Sequence, residues 1–254
     1  MSGSDRLLLN IDTGERGADH PVDLALVEHA DVVNVACGGH AGDEGSVRVF
    51  EDLAGRLGKT VAAHLSYPDP QHFGRRRMDL PTAQLLEALD TQRGLLPGAR
   101  WLKFHGALYH EADRDPALAE ALAGWLKGAG FAAVIGPAPG VFERAVRDRG
   151  LAVLAEAFVE RRYRREPDTG RPVLVPRSEA DACLATLNEA MAQAEGLIRR
   201  REVRLAPSGE AQRIEADTLC IHSDSPIALE LAAALSARLR PRKPLDPGEV
   251  GETP

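Results

Sequence analysis

The chain has 254 residues, of which 44% are hydrophobic and 27% are charged, and its formal net charge is −7. This composition is typical of a globular protein, and the negative charge argues against nucleic acid as a main partner, because phosphate binding requires a basic face. The three cysteines form no CxxC pair, which indicates a reducing compartment rather than a disulfide framework. No apolar run approaches the ~18 residues of a membrane span, and the first residues do not resemble a signal peptide. We therefore expect a cytoplasmic protein that acts on a small molecule, without a membrane or nucleic-acid partner.

Short apolar runs alternate with helical patterns along the chain. The predicted strands cover 7–12, 32–37, 60–65, 101–106, 132–136, 151–158 and 218–223. The predicted helices cover 21–30, 46–58, 81–96, 116–130, 141–150, 178–198 and 226–239. The strands are almost continuously apolar, which is typical of a parallel sheet that is buried on both faces. The pattern predicts βα units in a single domain over 1–240, arranged as a barrel or as a doubly wound sheet.

Three segments fall outside these units. Residues 159–177 form a long polar connection, and 199–216 are expected to hold an extra hairpin or an irregular segment. The stretch 241–254 is rich in Pro and Gly, and it is predicted to be a loosely ordered tail.

Polar side chains gather at the carboxyl ends of the predicted strands, where parallel α/β folds bind their ligands. They are Asn10, Asp12, Glu15, Asn34, His40, Asp43, His64, Tyr67, Lys103, His105, Tyr109, Glu156, Glu160, Arg161, His222 and Asp224. Histidines follow four different strands, so the pattern predicts one shared functional site. His110 is expected to be a residue of a surface loop.

The segment CGGHAGD (37–43) joins the second predicted strand to the next helix. Gly38 and Gly42 allow a positive φ and a close approach of the backbone to a ligand. Amide groups at the start of a helix also suit an anion. We therefore predict that both glycines contribute to substrate binding.

The residue types at the predicted site leave its chemistry open. Asp12 with His40, His64 and His105 could hold a divalent metal, although no HxxxH or HExxH spacing is present. The same groups could act as general acids and bases on a polar substrate. Lys103 could stabilise an oxyanion or bind a carboxylate.

Three further features bear on the chemistry. Arg75, in the loop FGRRRM (73–78), could bind a carboxylate or a phosphate bidentately. GRLGKT (55–60) has the wrong spacing for a phosphate loop and follows a helix instead of a strand, so it offers no standard ATP site. The cysteines are expected to be structural, with Cys183 on a helix.

Seven short motifs occur in the order that is seen in the LamB/YcsF family, and the chain resembles that family over most of its length. The motifs are LNIDTGE (9–15), NVACGGHAGD (34–43), AAHLSYPD (62–69), FGRRRM (73–78), KFHGALY (103–109), EAFVERRY (156–163) and DTLCIHSD (217–224). The resemblance implies a distorted seven-stranded β/α barrel of the glycoside hydrolase/deacetylase type. It also implies ATP-dependent opening of the 5-oxoproline lactam to L-glutamate, together with separate subunits B and C.

With the resemblance, site residues are predicted in two groups. The catalytic group is Asp12, His40, His64, Lys103 and His105. The substrate-binding group is Asn10, Glu15, Asn34, Gly38, Gly42, Asp43, Tyr67, Arg75, Tyr109, Arg161, His222 and Asp224. ATP is expected as a co-substrate that could be bound with the partner subunits, while a divalent metal and a homo-oligomer remain open.

Two other functions remain open: a metal-dependent deacetylase or amidohydrolase acting on another lactam or amide, and a non-catalytic substrate-binding subunit. The family usually has Phe at the position of Gly39 and Pro at the positions of Leu65 and Phe104. The loss of Phe at 39 and its gain at 104 are expected to reshape the cavity.

Overall fold

In the computed structural model, which describes residues 7–239, seven parallel strands form a closed barrel. They are β1 (Leu8–Thr13), β2 (Val32–Ala36), β3 (Thr60–Leu65), β4 (Trp101–Phe104), β5 (Ala133–Gly136), β6 (Ala152–Phe158) and β11 (Thr218–Ile221). Their order around the barrel is β1-β11-β6-β5-β4-β3-β2. Ile11 of β1 is in register with Ile221 on one side and with Val33 on the other, which closes the ring. The prediction of a seven-stranded β/α barrel is confirmed.

The continuous apolar character of the strands follows from burial on both of their faces. Successive side chains of a strand point to opposite sides of the sheet. On β1, Leu9 and Ile11 belong to the large core between strands and helices, whereas Leu8 belongs to a second apolar cluster with Trp101. Asp12 has the same parity as Leu8, so the polar site lies above an apolar plug in the barrel interior.

Eight helices accompany the strands within residues 7–239. They are α1 (Pro21–His29), α2 (Glu44–Arg56), α3 (Thr82–Arg93), α4 (Gly106–Arg114), α5 (Pro116–Gly128), α6 (Val141–Arg147), α7 (Leu187–Arg200) and α8 (Ala228–Arg238). None of these helices is long and apolar enough to cross a membrane. Helix α4 was not predicted, because the strand assigned to 101–106 ends at Phe104. His110 is exposed as expected, but it lies on this helix.

The predicted helix over 178–198 is wrong in its first half. Helix α7 begins only at Leu187, because Thr186 and Glu189 form a capping box that fixes its start. The preceding segment is held in an extended form by Arg161, whose guanidinium donates to the carbonyls of Val175 and Ala182. Cys183 is therefore exposed and forms an isolated β-bridge with Arg161, rather than lying on a helix.

A second, four-stranded sheet is built from the segments that connect the last barrel units. Its strands are β7 (Tyr163–Arg165), β8 (Pro172–Leu174), β9 (Glu202–Ala206) and β10 (Ala211–Arg213), in the order β10-β9-β7-β8. The hairpin expected within 199–216 is confirmed as the antiparallel pair β9–β10. The polar connection 159–177 contains β7 and β8. The predicted tail 241–254 lies outside the described residues.

Candidate functional site

A buried lysine lies at the centre of the polar site in the barrel mouth. Lys103 Nζ is 2.9 Å from Asp12 Oδ1 and 2.8 Å from Glu156 Oε1, and the lysine side chain is only 3% exposed. Asn34 Nδ2 also donates to Asp12 Oδ1, at 2.8 Å. Asn10 Oδ1 accepts from both Asn34 and Lys103. Asp12 Oδ1 is thus fully engaged, and Oδ2 is the oxygen that remains available for chemistry.

Ionisation of this pair is favoured in spite of its burial. Burial alone would raise the pKa of Asp12, but His64 and Lys103 hold it well below its usual range. Burial alone would lower the pKa of Lys103, but Asp12, Cys220 and Glu156 raise it well above its usual range. Asp12 and Lys103 therefore form a permanent ion pair at neutral pH.

Next to this pair, Glu15 and three histidines form what we call the Glu15–histidine cluster: Glu15, His40, His64 and His105. Glu15 Oε1 is 3.0 Å from His40 Nε2, 3.6 Å from His64 Nε2 and 3.2 Å from His105 Nδ1. His64 Nε2 is 3.1 Å from His105 Nδ1. The rings of His40 and His105 stack with their centroids 3.7 Å apart. Four successive strands thus bring one donor each to the same point.

The environment separates the pKa values of the three imidazoles. Burial opposes the charged form of His64, but Asp12 and Glu15 outweigh it and raise the pKa of His64 to about 9. Burial and the neighbouring His40 lower the pKa of His105 to about 3. Burial also lowers the pKa of His40, and hydrogen bonds from the histidines keep the pKa of Glu15 well below its usual range against the effect of burial. Opposed pKa values of adjacent groups are common at functional sites.

The solvent side of the site is lined by residues that follow β6 and β11. His222 Nε2 lies 3.9 Å from Asp12 Oδ2, and His222 Nδ1 is hydrogen-bonded to the buried carboxylate of Glu160. At the exposed edge, the Asp224 carboxylate accepts from Arg75 at 3.3 Å and from Arg177 at 2.9 Å. Two arginines from different segments therefore meet at the mouth of the site, where an anionic ligand could replace Asp224.

Several predicted residues have structural contacts away from the cluster. The carboxylate of Asp43 accepts from the amide of Ser46 as the N-cap of α2, and this hydrogen bond lowers the pKa of Asp43. Arg161 holds the segment before α7, as described above. Tyr67 and Tyr109 belong to the buried hydrophobic core, and burial together with Glu156 raises the pKa of Tyr109 well above its usual range. Their roles in substrate binding remain predictions.

The loop between β2 and α2 uses its glycines for conformation and space. Gly38 and Gly42 have φ values of +86° and +84°. A Cβ at Gly42 would lie 2.2 Å from the carbonyl oxygen of Ala36, so the loop turns too tightly for any side chain there. This turn brings His40 into the site.

Two positions that differ from the family pattern have distinct consequences. A Cβ at Gly39 would lie 2.2 Å from Gln92 Oε1, and Gln92 is itself fixed by hydrogen bonds to the backbone of Ser66. Gln92 therefore occupies the space that a larger side chain at 39 would need. Phe104 packs against Phe142 on the helix side of the barrel wall. The expectation that Phe104 reshapes the cavity is therefore wrong, because alternate strand residues face opposite sides.

Three residues at the site were not predicted to act there. Glu156 and Glu160 were recognised only as polar groups near a strand end, and Arg177 was not recognised. Glu156 offered a usable signal, because it is the one charged residue in the apolar run LAVLAEAF (151–158). Arg177 lies in a segment assigned to a connection, so its sequence neighbours give no indication of its position.

These features define a β/α-barrel protein with a buried ionisable site at the carboxyl ends of its strands. Comparisons with known proteins give a particular assignment. The sequence model of the LamB/YcsF family matches residues 7–244, and the chain belongs to that family. The chain is 38% identical to the A component of the 5-oxoprolinase of Methylococcus capsulatus, over 92% of both chains. It is also similar to the crystal structure of a lactam utilization protein from Thermus thermophilus, with a TM-score of 0.79, 32% identity, and coverage of 91% of this chain and 94% of that one.

Proposed function

We propose that this chain is the A component of an ATP-dependent 5-oxoprolinase, which opens the 5-oxoproline lactam to L-glutamate together with subunits B and C. The observation that carries the proposal is the buried Asp12–Lys103 pair beside an imidazole cluster at the barrel mouth, in a chain similar to a protein named as the A component of a 5-oxoprolinase. The name of that relative implies further subunits. The cytoplasmic location and a homo-oligomeric state remain predictions.

ATP is the co-substrate in this proposal because a lactam carbonyl is a poor electrophile. Transfer of a phosphoryl group to the amide oxygen makes the ring carbon more reactive. One water then adds to this carbon, the C–N bond breaks, and the nitrogen leaves as the amine with a proton. A second water hydrolyses the resulting acyl phosphate to the carboxylate and phosphate. Residues 55–60 join a helix to a strand, the reverse of a phosphate loop, so we expect ATP to bind with the partner subunits.

The site groups are suited to distinct parts of this reaction. Asp12 Oδ2 is the available oxygen of a carboxylate whose other oxygen is held by Lys103 and Asn34, and it can accept a proton from the attacking water. Arg75 and Arg177, which meet at Asp224, can bind the carboxylate or phosphate of the substrate bidentately. The acid and the anion-binding groups thus lie on opposite sides of the space for the ring.

The test is the formation of L-glutamate from 5-oxoproline by the full chain with its subunits B and C, with and without ATP. Asp12→Asn is expected to lower the rate at least about 100-fold, because proton transfer by a positioned side chain contributes about that much or more. Asp52→Asn, on the exposed face of α2, is the matched control and is expected to keep the rate.

Other outcomes would contradict the proposal in different ways. No glutamate from the folded complex with ATP would exclude a 5-oxoprolinase. Glutamate or another amino acid formed by this chain alone without ATP would favour an amidohydrolase. A rate that Asp12→Asn leaves unchanged would favour a non-catalytic binding subunit.

A further inference from the structure

The Glu15–histidine cluster contains nitrogen atoms that point at one another without hydrogens to share. His64 Nδ1 lies 3.1 Å from the carbonyl oxygen of Lys103, and His105 Nε2 lies 3.0 Å from that of Phe73. A carbonyl can only accept, so each of these nitrogens carries the hydrogen. In the neutral imidazoles, the lone pairs of His64 Nε2 and His105 Nδ1 therefore face each other at 3.1 Å, with Glu15 Oε1 beside them. This arrangement requires a positive charge between the donors.

Hydrogen bonds of this kind are typical of metal-bound histidines. A ligating imidazole usually donates its other N–H to a carbonyl or carboxylate, which fixes the tautomer and the ring orientation. His64 and His105 both have that arrangement. His40 is fully buried, has Nε2 directed at Glu15, and leaves Nδ1 without a hydrogen-bond partner among the described residues. Its orientation is thus set by the cluster and by its stacking on His105.

The spacing of the donors fits a small, four-coordinate cation. Metal–ligand bonds of about 2.0–2.1 Å in a tetrahedron place the donors about 3.3 Å apart. The four donor atoms lie within 4.8 Å of one another, and the measured separations from Glu15 are 3.0, 3.6 and 3.2 Å. Movements of a few tenths of an ångström up to about 1 Å would complete the geometry.

The charges around the cluster favour a divalent ion. The carboxylates of Asp12, Glu15 and Glu156 are at most 11% exposed, and Lys103 lies between two of them. One cation against three carboxylates leaves two negative charges in a region that is almost closed to water. Buried charges need partners, because desolvation makes an isolated charge costly.

We propose that the Glu15–histidine cluster binds one divalent transition-metal ion of the zinc type. The ligands are Glu15 Oε1, His40 Nε2, His64 Nε2 and His105 Nδ1, a mixture of imidazole and carboxylate donors that suits this class of ion. Glu15 replaces Asp12 in the metal set expected from the sequence, because Asp12 is engaged by Lys103. The proposal rests on the proposed function and adds a ligand to the same site. Such an ion polarises a carbonyl and lowers the pKa of a bound water.

The experiment measures metal content directly. The full chain is prepared without a histidine tag, stripped with a chelator, dialysed against zinc and then against metal-free buffer, and analysed by mass spectrometry of the elements. About one zinc per chain is expected. Glu15→Gln and His105→Asn are expected to weaken zinc binding at least about tenfold, because even the loss of an outer partner costs that much. His110→Asn, on the exposed face of α4, is the matched control and is expected to retain zinc.

Cobalt provides a second measurement on the same variants. Co²⁺ bound to the wild-type chain is expected to give the visible absorption of a low-coordinate site, and Glu15→Gln is expected to lose it. Glu15→Gln preserves the shape of the side chain, so it tests the proposal even where His105→Asn does not fold. Circular dichroism of each variant verifies that the barrel is intact.

Three results would overturn the proposal. One is a folded wild-type chain that retains no zinc, and another is equal zinc retention in the wild type, Glu15→Gln and His105→Asn. The third is zinc that is lost in Cys220→Ser but kept in Glu15→Gln, which would move the ion to the group Asp12, Cys220 and His222. These readouts do not involve turnover. A chain that binds zinc but forms no glutamate would contradict only the proposed function.

Discussion

Lys103 determines which charges the site can hold. Its ammonium group lies between Asp12 and Glu156, and all three side chains are at most 3% exposed. A buried ion pair of this kind adds little net stability, but the removal of one partner leaves the other charge without compensation. The same lysine keeps Asp12 ionised and fixed against Asn34. Folding and the arrangement of the site therefore depend on one residue.

Replacement of Lys103 by Met tests this dependence. Met preserves most of the side-chain length and removes the charge, so the free energy of unfolding is expected to fall by about 3–5 kcal/mol. Urea denaturation followed by circular dichroism measures it. Lys127→Met, on the exposed face of α5, is the matched control, and its effect is expected to stay within about 0.5 kcal/mol.

The double variant Lys103→Met/Asp12→Asn separates lost charge from altered packing. Because it removes an uncompensated carboxylate, it is expected to recover part of the stability. A loss no larger than that of Lys127→Met would contradict the account of Lys103. So would a double variant that is less stable than Lys103→Met.

At the level of elements, the loop between β2 and α2 positions His40. The chain reverses within residues 37–43, with Gly38 donating its amide to the carbonyl of Ala41 at 2.7 Å. Asp43 then caps α2 through Ser46. The glycines are therefore required by the backbone, and the polar residues of the loop divide between the site and the helix start.

Gly42→Ala is expected to destabilise the chain by at least about 1 kcal/mol. Position 42 has a φ of +84°, where a residue with a Cβ is strained, and the added carbon would also meet the Ala36 carbonyl. Gly55→Ala is the matched control, since Gly55 lies in α2 with nothing within 4 Å of an added Cβ. That change is expected to stabilise the chain by about 0.5–1 kcal/mol. Urea denaturation of both variants measures the difference, and a Gly42→Ala chain as stable as wild type would contradict the expectation.

The strands could be predicted from the sequence because burial on both faces gives each one a continuous apolar run. Helix ends were less predictable where a distant residue decides them. Arg161 keeps the segment before α7 extended, and only its carbonyl partners Val175 and Ala182 make this visible. Residues 178–186 otherwise read as helical.

The members of the site could be predicted, but their pairing could not. Parallel strands bring their carboxyl ends together, which is enough to gather Asp12, Glu15 and the histidines. Strand register and side-chain rotamers then decide that Lys103 engages Asp12 and that Glu15 joins the imidazoles. Arg177 reaches the mouth from a distant segment, so no local pattern indicates it.

For the whole molecule, closure of the barrel depends on the pairing of the last unit with the first. Strand β11 pairs with β1, and α8 lies between α7 and α1. His29 of α1 is hydrogen-bonded to Ser236 of α8 at 3.1 Å. On the other side, Glu195 of α7 accepts from Arg238 of α8 at 2.6 and 3.1 Å, a bidentate contact. Polar contacts thus join the helices on both sides of the closure.

The Glu195–Arg238 contact gives closure a defined pH dependence. Hydrogen bonds from Arg238 and Arg199 lower the pKa of Glu195 to about 2. A carboxylate with a depressed folded pKa contributes stability above its unfolded value of about 4.3, and that contribution is lost as the pH falls toward the folded value. Glu195→Gln is therefore expected to lower the free energy of unfolding at pH 7 by less than about 1 kcal/mol, because the pair is partly exposed.

The difference between wild type and Glu195→Gln is expected to shrink between about pH 4 and pH 2, and also to shrink in high salt, which screens partly exposed charges. Urea denaturation at pH 7, 5, 4 and 3 measures it, as far down as the native state persists. Glu87→Gln, on the exposed face of α3, is the control and is expected to stay within about 0.5 kcal/mol of wild type. A difference that grows on acidification would contradict the sign of the effect, and Glu195 would then contribute to closure by packing rather than by charge.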